Sequence, residues 1–352
     1  MSLEKQTERD GNMESIRVLI VEDSLLFRNL LSRALQIDPQ IEIVAEVDNP
    51  YDARDAIIKY EPDVMTLDLE LPKMGGLEFL QKLMPQYPIP TVVISSLNDK
   101  VFDCLKAGAV EFVSKPAGMT MIQLEAFVKQ ELLGKIKIAA RAKVRSGLPK
   151  PKPKQTNSVL NSKHDDLIIA IGASTGGTEA ICSVVTNFPP DIPGTIIVQH
   201  MPPGFTKMYA ERLDKQCAVH VKEAESGDRV QRGHVLLAPG DLQMKLVKVN
   251  GEYQVNCRPG EKVSGHCPSV DFMFDSVAKV AGANAIGVIL TGMGGDGAKG
   301  LLAMRQAGAI TIGQDEATCV VYGMPKVAMD LGGVQYQLPL ESIAGKICSL
   351  LK

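Results

Sequence analysis

One alternation limits what this chain can fold into more than any other feature. Short, apolar, β-branched runs break into polar or glycine-rich loops, and an amphipathic stretch follows each of them. The runs Ile16–Val21, Ile41–Val47, Asp63–Asp68, Thr91–Ser95 and Ala109–Val113 alternate with stretches such as Leu25–Leu35. Runs this short and apolar on both faces belong to buried strands. Strands that alternate with helices build parallel sheets. Residues 16–133 are therefore expected to form a doubly wound, flavodoxin-like α/β domain.

The pattern resumes at Leu167-Ile-Ile-Ala-Ile-Gly172-Ala-Ser174-Thr-Gly176-Gly177. A buried strand here ends in a glycine-rich turn carrying one hydroxyl, and the helix-like Thr178–Val185 follows. Gly172-x-Ser174-x-Gly176 has the spacing of a nucleophile elbow. Its glycines permit a sharp turn, and the helix N-terminus behind offers amides to an oxyanion. A base is available in His200, at the end of Gly194–His200. An orienting acid is available in Asp296, in the loop after Ala285–Leu290. Parallel sheets gather ligands at such strand ends, so Ser174, His200 and Asp296 are the candidate catalytic triad. Their order along the chain differs from the Ser…Asp…His of α/β-hydrolases, which argues against that fold. Gly292-x-Gly294-x-x-Gly297 also matches a dinucleotide fingerprint, with Asp315 and Glu316 where a ribose-binding acid would stand. That alternative leaves Ser174 and His200 without a role.

Polar residues also collect at strand ends in the N-terminal half. Glu22 and Asp23 close the first strand, Asp68 the third, Ser95 the fourth, and Lys115-Pro116 the fifth. Carboxylates brought together repel unless a cation joins them, which points to an Mg²⁺ site with oxygen ligands. Asp68 is then placed to attack a phosphoryl group. Mg²⁺ and Lys115 would neutralise the charge, and Ser95 would hydrogen-bond the new oxygens.

At 352 residues the chain has room for two domains with their own cores. A net charge of −3 implies no general attraction to nucleic acid or anionic lipid. No apolar run approaches a membrane span, which takes about 18 residues, and no signal-peptide pattern opens the chain, so a cytoplasmic protein without membrane insertion is expected. The seven cysteines are odd in number and lack CxxC spacing, as in reduced cytosolic proteins. Residues 1–15 lack periodicity and read as a disordered leader. Residues 134–164 hold nine lysines and arginines without one acid, including Pro149–Lys154, and read as a solvated basic linker. Its first part, to Arg145, is able to continue a helix. Residues 165–352 make the second domain.

The N-terminal half resembles the receiver domain of two-component response regulators in Val21-Glu-Asp23-Ser, Leu67-Asp68, Pro72-x-Met-x-Gly76 and Lys115-Pro116. The resemblance implies Mg²⁺ held by Glu22, Asp23, Asp68 and the main-chain carbonyl of Glu70. It also implies phosphorylation of Asp68, a switch role for Ser95 and Lys115, and a cis bond at Pro116. The stretch Asn98–Ala107 is about a turn shorter than usual. The second half resembles the catalytic domain of chemotaxis protein-glutamate methylesterases, in Gly172–Gly177, Gln199–Phe205, Leu237–Asp241, Pro268–Asp271 and Leu290–Gly297.

That second resemblance implies a Rossmann-like three-layer domain that hydrolyses glutamyl methyl esters on methyl-accepting chemoreceptors. Methanol is released, and receptor glutamines are deamidated as a side activity. Met293 would supply an oxyanion-hole amide, and no cofactor is implied for this domain. A chemotaxis histidine kinase would be the phosphodonor. The unphosphorylated receiver would pack over the esterase site until phosphorylation loosens it. Two positions depart from the family pattern: Gly295 replaces a usual asparagine, and Cys267 replaces a frequent arginine. A DNA-binding response regulator is the main alternative, and it lacks a recognition helix and a concentrated basic face. A catalytically silent signalling protein is the other.

Overall fold

The computed structural model describes residues 15–95, 100–115, 118, 121–144 and 166–351. The chain divides into two compact units, residues 1–148 and 149–352. In the first, strands β1 (Ile16–Val21), β2 (Ile41–Val47), β3 (Val64–Asp68), β4 (Thr91–Ser95) and β5 (Glu111–Ser114) form one sheet in the order β2-β1-β3-β4-β5. All its pairings are parallel. Strands β3 and β4 are buried along their whole length, and β1 is buried from Val18 on, because helices cover both faces.

Those helices are α1 (Leu25–Leu35), α2 (Pro50–Tyr60), α3 (Gly76–Leu83), α4 (Lys100–Lys106) and α5 (Met121–Phe127). Ser24 caps α1 by accepting from the Phe27 amide. Asn49 caps α2 ahead of Pro50, whose missing N–H would have been an orphan there. Helix α4 has only seven residues. A π-helical turn, Val128–Leu132, continues α5 into α6 (Leu133–Ala139). Residue 134, where the linker is expected to begin, thus lies inside a helix. Lys135 Nζ donates to the Phe112 carbonyl at 2.6 Å, and Lys137 pairs with Asp38 at 2.6 Å, which ties α6 to the first unit. The linker from Arg145 to His164, the leader up to Glu14, and Pro116 lie outside the described residues.

The second unit opens with β6 (Ile168–Ala173), α7 (Gly177–Val185), β7 (Thr195–Gln199), α8 (Phe205–Asp214), β8 (His220–Glu223) and β9 (His234–Leu237). After the hairpin β10 (Gln243–Val249) and β11 (Glu252–Arg258) come α9 (Val270–Val280), β12 (Ala285–Ile289), α10 (Ala298–Gln306) and β13 (Ile310–Gln314). Helix α11 (Met324–Asp330), β14 (Tyr336–Leu338) and α12 (Leu340–Leu350) close it. Seven strands pair in parallel in the order β14-β13-β12-β6-β7-β9-β8.

The hairpin stands apart from this sheet. It turns at Asn250-Gly251, both left-handed (φ +52° and +87°), the signature of a tight two-residue turn. The Leu246 amide donates to Ser276 Oγ and so ties the hairpin to α9. In the sheet, the first strand of the unit, β6, lies centrally. The chain moves outward through β7 to β8 at the edge, returns to β9 between them, then crosses back to β12 on the other side. The carboxyl ends of β6, β7 and β12 therefore surround the point where the winding reverses, the usual place for a site in an open α/β sheet.

Candidate functional site

Ser174 follows β6 at a turn built on bare backbone. A Cβ on Gly172 would stand 2.1 Å from Val270 Cγ1, so glycine is what lets the first turn of α9 close on β6. Gly176 takes φ +74°, a left-handed conformation that glycine adopts without steric cost. The Ser174 amide donates to the Thr291 carbonyl at 3.0 Å, and its own carbonyl accepts from the Gly177 amide at 2.7 Å. That carbonyl also accepts from Gln199 Nε2 at 2.9 Å. Gln199 is buried, and the same Nε2 donates to the His200 carbonyl at 3.2 Å. One side chain thus clamps the serine turn to the histidine. Thr291 Oγ1 ties the neighbouring loops together through the Thr175 and Val321 carbonyls.

His200 closes β7, and its Nε2 lies 2.7 Å from Asp296 Oδ2. Asp296 is buried and fully engaged. Its Oδ2 also accepts from the Val270 amide at 2.8 Å, and its Oδ1 from the Ser269 hydroxyl at 2.8 Å and the Asp271 amide at 2.9 Å. Since Ser269 caps α9, the carboxylate occupies an anion position at a helix N-terminus. Burial pushes this carboxyl up. The His200 hydrogen bond and charge and the two amides outweigh it, so the group stays below the ordinary carboxylate value. An ionised Asp296 calls for a proton on Nε2, which leaves Nδ1 as the basic nitrogen.

Nδ1 is buried without a hydrogen-bond partner among the described residues. Nor, among those residues, does a hydrogen bond join Ser174 Oγ to His200. The loop after β12 presses on the serine, since a Cβ on Gly292 would stand 2.7 Å from Ser174 Cβ. The Met293 amide in that loop has no hydrogen-bond partner among the described residues. Asp315, the acid of the nucleotide alternative, is engaged by the amide and hydroxyl of Thr318.

The sequence pattern misses His266. Its ring stacks on His200 with centroids 3.7 Å apart and planes 12° from parallel. Burial first, and then the His200 charge, push its imidazole down to about 4. Ser269, Gln199 and Gln243 are missed as well. Gln243 Nε2 donates to the carbonyls of Glu261 and His266, while its Oε1 accepts from the Ser269 amide. Cys267 follows His266, and burial raises its thiol.

In the first unit, ligand oxygens of Glu22, Asp23 and Asp68 lie within 4.8 Å of one another, a donor set of hard oxygens suited to Mg²⁺. Lys115 Nζ sits 2.6 Å from Asp68 Oδ2 and 2.9 Å from both oxygens of Glu22. Burial, followed by the Asp68 charge, pushes the Glu22 carboxyl up to about 7 against the pull of Lys115. Desolvation works against the charged Lys115, yet its bonds to Asp68 and Glu22 hold it above the ordinary lysine value. The Glu70 amide donates to Asp68 Oδ1 at 3.1 Å. Ser95 Oγ is buried at the end of β4 with no partner among the described residues, an acceptor or donor left open beside Asp68's strand.

Fold and site together define a two-unit α/β protein whose second unit brings a serine, a histidine and an aspartate to the carboxyl ends of neighbouring strands. The CheB methylesterase model matches residues 169–347, and the response regulator receiver domain model matches residues 18–126. A protein-glutamate methylesterase/protein-glutamine glutaminase 2 of Syntrophomonas wolfei is 56% identical, covering 96% of this chain and 98% of that protein. A protein-glutamate methylesterase/protein-glutamine glutaminase of Syntrophotalea carbinolica is 52% identical over 96% and 98%. The crystal structure of the Thermotoga maritima CheB methylesterase catalytic domain aligns with a TM-score of 0.51 and 42% identity, over 52% of this chain and 98% of that one. The chain belongs to the CheB methylesterase family and carries a receiver domain ahead of the esterase domain. Among the described residues no helix is long and apolar enough to cross a membrane.

Proposed function

We propose that this protein hydrolyses γ-glutamyl methyl esters of methyl-accepting chemoreceptors, releasing methanol, and that phosphorylation of Asp68 raises this activity. The observation that carries the proposal is the His200 pairing: Nε2 is held by a buried, ionised Asp296, while Nδ1 is left unbonded at the strand end beside the Ser174 turn. Ser174 Oγ attacks the ester carbonyl as Nδ1 takes its proton, and Asp296 stabilises the imidazolium. The Met293 amide donates to the developing oxyanion. Collapse of the tetrahedral adduct expels methoxide, which leaves as methanol with the proton from His200. Water then attacks the acyl-serine by the reverse proton path and frees the glutamate. The same steps on a glutamine side chain release ammonia, so deamidation is a natural side activity.

In the receiver, Glu22, Asp23 and Asp68, with the Glu70 carbonyl, would hold Mg²⁺, which when bound supplies positive charge for phosphoryl transfer. Asp68 accepts the phosphoryl group from a chemotaxis histidine kinase. Lys115 balances its charge, and the unpartnered Ser95 hydroxyl donates to it. The protein works in the cytoplasm on receptor segments facing it, without nucleic acid and without a cofactor in the esterase domain.

The test is methanol release from methylated receptor by wild type and Ser174→Ala, each with and without a small phosphodonor and Mg²⁺. Release that needs Ser174 and rises with phosphodonor is expected. Release by Ser174→Ala would overturn the esterase assignment, and a flat phosphodonor response would overturn the switch.

A further inference from the structure

His200 is fixed at one edge only. Its Nε2 is bonded to Asp296, while the Nδ1 edge, from which the proton transfer must run, has no partner among the described residues. A single hydrogen bond sets where an imidazole sits but leaves the ring free to rock about that contact. What faces the ring plane is His266, stacked at 3.7 Å and 12° from parallel.

The loop carrying His266 is held with unusual thoroughness. The amide and carbonyl of His266 pair with the carbonyl and amide of Val263 at 2.9 and 3.0 Å. Gln243, buried at the start of β10, spans the same loop with bonds to the Glu261 carbonyl at 2.9 Å, the His266 carbonyl at 3.0 Å and the Ser269 amide at 2.9 Å. The loop then ends at Ser269, whose hydroxyl donates to Asp296. Thus the group that bonds the edge of His200 and the group that stacks on its face are parts of one anchored unit.

Resting on the triad described above, we propose that His266 is a positioning residue for the esterase reaction: its planar face holds the His200 ring so that Nδ1 points at Ser174. The charged groups around His266 are His200 and Asp296 at the site and Lys262 on its own loop. Burial and the His200 charge keep the His266 imidazole neutral in the working range, so it presents a π face, not a competing cation, when His200 takes up the serine proton. A stack of this kind acts by orientation, and misplacing a reacting group by about 1 Å costs on the order of 100-fold in rate.

The experiment compares His266→Phe and His266→Leu in the full-length protein, with methanol release from methylated receptor as the readout. Both replacements are apolar and fill the space, and only phenylalanine keeps a planar face. His266→Phe is expected to keep kcat within about 3-fold of wild type, and His266→Leu to lose about 10- to 100-fold in kcat with KM unchanged. Nitrogen-15 NMR of His200 should show the Nε2–H tautomer sharply in wild type and His266→Phe, and broadened in His266→Leu. Equal losses in both variants, or no loss in His266→Leu, would overturn the positioning role. Ser174→Ala, run alongside, separates the cases: release that survives it removes the triad itself, whatever the His266 variants do.

Discussion

Ionising the buried Glu22 carboxyl should weaken the folded chain as pH rises, and Mg²⁺ should cancel much of the loss. Burial and the neighbouring Asp68 push this group from 4.5 up to about 7, with Lys115 opposing them. Over that window the folded state holds a proton that the unfolded state has released. Its stabilising contribution is therefore complete below pH 4.5 and is lost as pH climbs through 7. Linkage turns these two values into a loss on the order of 2–3 kcal/mol between pH 5 and pH 8. The assay is urea unfolding followed by circular dichroism in EDTA at both pH values, for wild type and Glu22→Gln. Titrating groups outside the Glu22, Asp68 and Lys115 cluster cancel in the difference. Among them is His266, whose depressed imidazole works the opposite way, adding stability as pH rises from about 4 towards 6.5. The stability of wild type relative to Glu22→Gln should fall by on the order of 2–3 kcal/mol from pH 5 to pH 8 in EDTA, and by clearly less in saturating Mg²⁺. A relative stability that stays level or rises with pH would refute the reasoning.

Two more outcomes follow from the geometry. Asp296→Asn presents an amide N–H to partners that now donate to a carboxylate, and removes the charge that selects the Nε2–H tautomer. Its kcat should fall by about 10³- to 10⁴-fold with little change in KM, read from steady-state methanol release. Gly177→Ala places a Cβ 2.1 Å from Gln199 Oε1 and 2.7 Å from Ala173 Cβ, so the Gln199 clamp on the Ser174 and His200 carbonyls must move. A stability loss of about 1–3 kcal/mol in denaturant unfolding, together with reduced esterase turnover, is expected.

Much of the fold was legible because a strand covered by helices on both sides must be apolar throughout. Helix α1 was read at Leu25–Leu35 and is found there. The strand before Ser174 was read one residue early, and β5 two residues early at its start, since apolar runs do not mark where ladder pairing begins. The hairpin β10–β11 was missed although Asn250-Gly251 signals its turn, because an expectation of alternating strands and helices has no place for an antiparallel pair. The helix running on to Ala139 lies in the part of the basic stretch, to Arg145, that is able to continue a helix, and its lysines have partners such as Asp38. Gln199 stands in a shared motif that does not reveal its clamp, and His266 and Gln243 carried no usable signal. Two of them work through main-chain carbonyls and amides, which leave no pattern in side-chain order, and the third works through a ring face.

By itself the sequence determined the period of each segment and the polar residue at each strand end, because burial between helices demands apolar strands and leaves chemistry only where they stop. Only the tertiary structure decided which strand ends meet. The order β12-β6-β7 brings His200 to Asp296, 96 positions further along the chain, and the first turn of α9 closes on that carboxylate with two amides and a hydroxyl. Which nitrogen of His200 is bonded to the carboxylate is decided there too, since it depends on where a buried charge can be hydrogen-bonded, and that is a property of packed backbone rather than of residue type.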